Sequence, residues 1–155
     1  MGVYTEGQVA IGSGRVTTAG AYTVMLCSTG YVFNCAHTGV DDGTTNDPAS
    51  YEISGAANYA RATLASVSLS HVDAENYSYL DATDPTFTAL GGGYTIGSVV
   101  IFPYSTSSTQ LGAATTGDTG QALLSHYATT GIATNGSNVT FTFSTQGFLK
   151  IGTTS

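Results

Sequence analysis

Three histidines (His37, His71, His126), two cysteines (Cys27, Cys35) and the glycine triplet Gly91, Gly92 and Gly93 are the residues from which chemistry would most readily be built. A zinc centre draws on closely spaced ligand pairs such as CxxC or HExxH. Cys35 and His37 offer the start of one, with no second pair behind it, so the histidines read as polar side chains satisfied locally. An activated serine of the hydrolase type sits in a GxSxG elbow. Here Gly12-Ser13-Gly14 is a flexible link. A glycine-rich phosphate cradle needs a strand before it and a helix after it, whereas Asp84-Pro85 precedes this triplet and a β-branched run follows it, which makes it a bend. Asp41, Asp42, Asp47, Asp73, Asp81, Asp84 and Asp118 fall mainly in turn-like segments without the alternating ligand order of a calcium loop. The two cysteines stand eight residues apart across a turn and have the spacing for a disulfide. In a chain without a secretion signal they read as reduced thiols. No metal and no cofactor is expected.

The elements that would position these residues are constrained by composition. The chain has 155 residues, of which 41% are apolar and only 8% charged, with a net charge of −7. One domain is expected, large enough to bury roughly 70% of the surface its unfolded chain exposes. Its surface must be built from Ser, Thr, Asn and Gly, which suits either a turn-rich β-domain or a subunit apposed to neighbours, where long charged side chains are costly to bury. Arg15, Arg61 and Lys150 are the only basic residues. That leaves nucleic-acid binding without its main source of affinity and disfavours anionic membrane surfaces. No apolar run approaches the length of a membrane span, and the first residues lack the charge and apolar core of a signal peptide. Asn76, Asn135 and Asn138 begin glycosylation sequons of the kind that arise easily in a Ser- and Thr-rich chain.

Residues 1–20 carry four glycines, and Val3, Tyr4, Val9, Ala10 and Ile11 suit a helical turn or an edge strand. YTVMLC (22–27) reads as a buried strand. Residues 31–54, with VDDGTTNDPAS, form a long loop suited to contacts. Residues 59–72 read as one strand, with Val67 and Leu69 on one face and serines on the other, paired as a hairpin with 77–80 across an Asp73–Asn76 turn. Pro85 marks a turn, Phe87 and Leu90 are apolar anchors, and residues 94–104 are the central core strand, which Pro103 brings to a stop. A loop is expected over 105–120, a strand over 121–127, turns at Thr129-Thr130-Gly131 and Asn135-Gly136, an alternating strand over 139–144 and an antiparallel return over 148–151. This is an all-β protein: a single-domain antiparallel β-sandwich or roll of about seven to eight strands with long loops. Residues 1–20 form an N-terminal arm and 21–155 the sandwich domain.

VMLC (24–27), His37 with the acidic loop after it, EISGAANYARATL (52–64), LDATDPTFTALGGGYTIGSVVIF (80–102) and TNGSNVTFTFSTQGFLKI (134–151) follow one another in a distinctive order. From about Tyr22 onward this order resembles a family of small virion structural proteins of tailed bacteriophages, the 80–102 segment being its most specific part. Members of that family open with a short Ala- and Leu-rich helix, where this chain has a glycine-rich lead. The resemblance implies a non-enzymatic subunit located in the virion and assembled in the bacterial cytoplasm, above all a capsid decoration or cement protein present in several copies. Its implied partners are the major capsid protein and copies of itself, in a homo-oligomer, with neither nucleic acid nor membrane. A tail or neck component is the alternative within that class; a host-facing glycan-binding module, using tyrosines and loop carboxylates, is one outside it. Partner contacts are expected from Val3, Tyr4, Val9 and Ile11 of the arm and from Tyr31, Phe33, Asp41, Asp42 and Tyr51 of the loop. No catalytic residue is implied.

Overall fold

The apolar run behind the glycine triplet becomes strand β7 (Thr95–Pro103), the centre of the main sheet in a computed structural model that describes residues 1–75, 77–103 and 121–152. Its β-branched Ile96, Val99, Val100 and Ile101 favour an extended backbone with side chains buried to either side. The other strands are β1 (Gly2–Val3), β2 (Tyr22–Ser28), β3 (Ala62–Thr63), β4 (Ser68–Val72), β5 (Tyr77–Asp81), β6 (Thr86–Phe87), β8 (Ser125–Ala133), β9 (Val139–Thr140) and β10 (Leu149–Gly152). One α-helix, α1 (Thr5–Gly12), lies among the described residues. All pairings between strands are antiparallel, and the strands form three sheets with orders β1-β8-β7-β2-β3, β10-β5-β4 and β6-β9. The protein is all-β.

At its centre, in β2 and β7, the main sheet is buried on both faces. Successive side chains of a strand point to opposite faces, and in β2 Tyr22, Val24 and Leu26 join one cluster while Met25 and Cys27 join another. The same division in β7 sends Val99 and Ile101 to the first and Val100 and Phe102 to the second. The first cluster is closed by the smaller sheets, through Leu80, Leu149 and Phe87, with Phe148 and Leu90 beside them. Tyr4, Tyr31, Val40 and Leu123 close the second, so the N-terminal segment and the long loop serve as the sheet's other cover. Each fully buried large apolar side chain contributes roughly 2 kcal/mol, which gives two-sided burial of β2 and β7 a dominant share of the packing.

A bulge at Gly97 keeps this division consistent. The β2–β7 register shifts between Cys27 and Ser28, which face Ser98 and Ile96. One extra residue on β7 puts Ile96 on the same side as Val99 and Ile101, as its place in the first cluster shows. A Cβ on residue 97 would run into the Thr29 backbone, so only glycine fits the bulge. Gly91 is required for a similar reason, since a Cβ there would stand 2.7 Å from the Ala57 backbone nitrogen. Gly93 takes a φ of 95°. The triplet is thus a bend that works by close approach and positive φ.

Several boundaries differ from those expected. Residues 59–72 form two strands in two sheets, β3 beside β2 and β4 beside β5, separated by Ser66 at φ 55°. Leu69 shares its face with its buried register partner Leu80, yet it is 58% exposed, because β4 is the last strand of its sheet. Thr129-Thr130-Gly131 makes no turn: β8 continues through it with a register irregularity, Gly131 at φ 82° and the Thr129 hydroxyl donating to Ile96 O at 2.6 Å. β8 also starts at Ser125, not Gln121. The 139–144 segment pairs with β6 only over Val139 and Thr140, then continues by single bonds from Phe141 N–H to Pro85 O and from Phe143 N–H to Asp84 Oδ1. β10 is antiparallel to β5, not a return against β9. The β4–β5 hairpin, the Phe87 and Leu90 anchors and the central placement of β7 stand as expected. The loop expected over 105–120, together with Tyr104, Asn76 and Asp118, lies outside the described residues.

Candidate functional site

The loop from Gly30 to Tyr51 folds back over the second face of the main sheet and is held there by backbone bonds. Thr5 N–H donates to Cys35 O at 2.9 Å, Val40 N–H to Gln121 O at 3.0 Å and Ala49 N–H to Val40 O at 2.9 Å. The aspartates shape it in the way short acidic side chains do in turns. Asp41 Oδ1 accepts from Gly43 N–H at 3.2 Å, Asp42 Oδ1 from Thr44 N–H at 3.1 Å and Asp47 Oδ1 from Ser50 N–H at 2.9 Å, the last at the entry to a turn of 3-10 helix over Ala49–Tyr51.

Beneath the loop runs a row of aromatic side chains. The hydroxyls of Tyr4 and Tyr31 hydrogen-bond at 2.7 Å, and the Tyr31 hydroxyl also meets His37 Nδ1 at 3.1 Å. Phe33 stacks on His126 with centroids 4.8 Å apart and meets Tyr4 edge-on at 4.9 Å. His126 Nε2 bonds to Ser98 Oγ at 3.0 Å. Burial pushes the Tyr31 hydroxyl up to about 12, the bond from Tyr4 opposing the rise. Burial, then the contact with Tyr31, also raises Tyr4. Both phenols therefore stay protonated at neutral pH and act as hydrogen-bonding groups. Burial likewise raises the Cys27 thiol, with the Glu52 carboxylate adding to it and Arg61 opposing, so Cys27 behaves as a small apolar core residue. Its Sγ meets Pro48 O at 3.5 Å, and Cys35 is a free thiol at the surface.

Above the row lies an open cavity of about 530 Å³ walled by the loop, with His37, Asp42, Tyr51, Asn34 and Asn46 on its lining and Val32 at its rim. Burial by itself would raise the Asp42 carboxyl. Hydrogen bonds from the Thr44 side chain and backbone and from Thr38 N–H, together with nearby His37, outweigh it and lower the pKa below the usual carboxylate value. The wall thus carries a fixed negative charge, an aromatic ring, two amides and an imidazole.

Of the residues expected to meet partners, the fold gathers Tyr4, Tyr31, Phe33, Asp42 and Tyr51 into this region. Tyr4 is fully buried and Tyr31 5% exposed, so both hold the loop down from beneath. Asp41 is half-buried in the adjoining turn. Val3 and Ile11 pack against the other cluster, and Val9 is 48% exposed on α1. Residues 1–12 are therefore no projecting arm: β1 pairs with β8, and α1 forms in spite of the glycine-rich lead. Sequence reasoning did not single out Asn34 or Asn46. Their signal was the repetition of Asn and Asp on both sides of His37, which was accounted for as turn chemistry. His126, expected to be a polar side chain satisfied locally, finds its partner in Ser98 on the neighbouring strand. Comparison with family models, with curated proteins and with solved structures gives no match for this chain.

Proposed function

We propose that this protein is a non-enzymatic structural subunit of a bacteriophage virion, a decoration or cement protein that binds the assembled head shell in many copies, with a tail or neck position as the alternative within that class. The reading rests on the ordered resemblance over 22–151 and is supported by one feature of the fold, the edge at β4, which is left unpaired on its outer side among the described residues. Isolated sheet edges invite pairing with other chains and are normally blunted by shortness, charge, proline or a bulge. β1 and β3, the edges of the main sheet, are two residues long, and the β10 edge carries Lys150. By contrast, β4 presents Ser68-Leu69-Ser70-His71-Val72 in unbroken register with β5, free of lysine, glutamate, proline and bulge, with Leu69 58% exposed. Such an edge suits a subunit whose neighbour supplies the next strand or covers the leucine. The scarcity of charge over the whole chain agrees, because interface centres are depleted of charged residues.

Cryo-EM of intact particles tests this, with Leu69→Lys carried through assembly. The expected result is hundreds of copies on the shell, and about tenfold weaker shell binding by the variant, since a buried charge would replace an apolar contact. A ring of a few copies at the vertex or along a tube would move the protein to neck or tail, and absence from particles would end the virion reading.

A further inference from the structure

The cavity over the 30–51 loop carries groups that the shell-subunit reading leaves unused. Each polar side chain on its wall is pinned by a bond within the loop and keeps a defined group for a ligand. Asn34 Oδ1 accepts from Ala36 N–H at 3.0 Å, and Asn46 Oδ1 accepts from the Tyr51 hydroxyl at 3.2 Å, which leaves both amide NH2 groups as donors. Asp42 accepts from Thr44 N–H at 3.1 Å, from Thr38 N–H at 3.4 Å and from the Thr44 side chain, which leaves it one of a carboxylate's roughly four acceptor positions. His37 engages Tyr31 through Nδ1. No buried polar side-chain atom among the described residues lacks a partner, so Nε2 of His37, which makes no hydrogen bond, is reached by solvent.

Donors, an acceptor and the Tyr51 ring thus line one cavity of about 530 Å³, within the range typical of small-molecule sites. A phosphate or carboxylate ligand is disfavoured, because Asp42 repels it and no lysine or arginine lines the wall. A guanidinium ligand would face two amide donors with a single carboxylate to accept its hydrogens. Sugar hydroxyls both donate and accept, and the apolar face of a pyranose packs on an aromatic ring. We propose that this cavity is a binding site for a neutral saccharide, with Asp42 accepting from one hydroxyl, Asn34 and Asn46 donating to others, and the sugar face lying against Tyr51. Because these groups are already fixed, little ordering cost attends binding. The site is independent of where in a particle the protein sits.

The test is an array of neutral mono- and oligosaccharides probed with the full chain. NMR titration of the labelled protein then follows, using methyl glycosides of glucose, galactose, mannose and N-acetylglucosamine, with N-acetylarginine amide as a separate probe. Expected are saturable shifts confined to residues 30–51 with at least one glycoside, and about tenfold weaker binding in Asp42→Asn, as for loss of a charged hydrogen-bond partner. Val32→Trp, at a position 75% exposed on the rim, should block binding without breaking any loop bond, and it decides the matter if Asp42→Asn disturbs the loop. Silence with every saccharide, shifts elsewhere, binding unaltered in Val32→Trp, or response to the arginine probe alone would overturn the proposal.

Discussion

His126 shows how much one buried side chain ties the N-terminal segment to the sheet. It is 7% exposed, stacked on Phe33, bonded to Ser98 and paired in register with Gly2. Burial, and secondarily the ammonium at Met1, pushes its pKa down from 6.5 to about 4. The unfolded chain takes up this proton near pH 6.5, while the folded chain resists until about pH 4, so stability is complete above 6.5 and declines as pH falls between the two values. We predict that unfolding free energy from urea titrations drops by roughly 2 kcal/mol between pH 7 and pH 5. His126→Gln, which keeps a partner for Ser98, should flatten that slope; an unchanged slope would assign the dependence to another group.

Among the strands, Gly97 carries the sharpest consequence. Because a Cβ there meets backbone on β2's exit, Gly97→Ala should cost about 3 kcal/mol, as overpacking does in a close-packed core. Gly12→Ala, at the end of α1 with open space around it, should leave stability unchanged or slightly raised. Thermal melts of the two variants test this, and equal behaviour would show that the bulge relaxes. The strands read correctly from sequence were those whose signal is local: the β-branched run of β7, the compact β2, and the alternation of β4 and β5 across a polar turn. The glycine bend was legible for the same reason, as its neighbours excluded a helix. The misread ones turned on contacts distant in sequence. Ser66 breaks 59–72 by a positive φ for which serine gives no warning, and Leu69 looks like a core residue until β4 proves to be an edge. Gly131 reads as a turn unless one knows that Thr129 bonds across to Ile96. The 145–147 link suggests a hairpin, yet β5 claims β10.

Over the whole molecule, the long loop and the first dozen residues were expected to reach outward, and the fold uses them inward. Neither shows a strong period, so nothing local marked them as cover for the sheet; only the largely apolar β2, buried on both faces, implied that such a cover had to exist. The cavity follows from that cover, which explains why its residues were visible singly as tyrosines and aspartates but not as a site. Removal of residues 2–12 takes away fully buried Tyr4 and Ala10 and opens the face bearing Met25, Val100 and Phe102. We predict a broadened, lowered thermal transition and binding of a hydrophobic dye at neutral pH. A truncated protein that melts sharply at the original temperature would show that the segment is dispensable.

The order of strands in the main sheet also governs how the chain reaches its native state. Gly2 must find His126, and Tyr22 must find Pro103, so β2 leaves the ribosome long before β7, its main partner, has been made, with only the two-residue β3 emerging between them to pair with it. Closing such distant pairs precedes any reward from them, and folding dominated by them is slow. During that interval the apolar β2 is available to other nascent chains, which makes chaperone supply and expression temperature the determinants of how much soluble protein a cell yields.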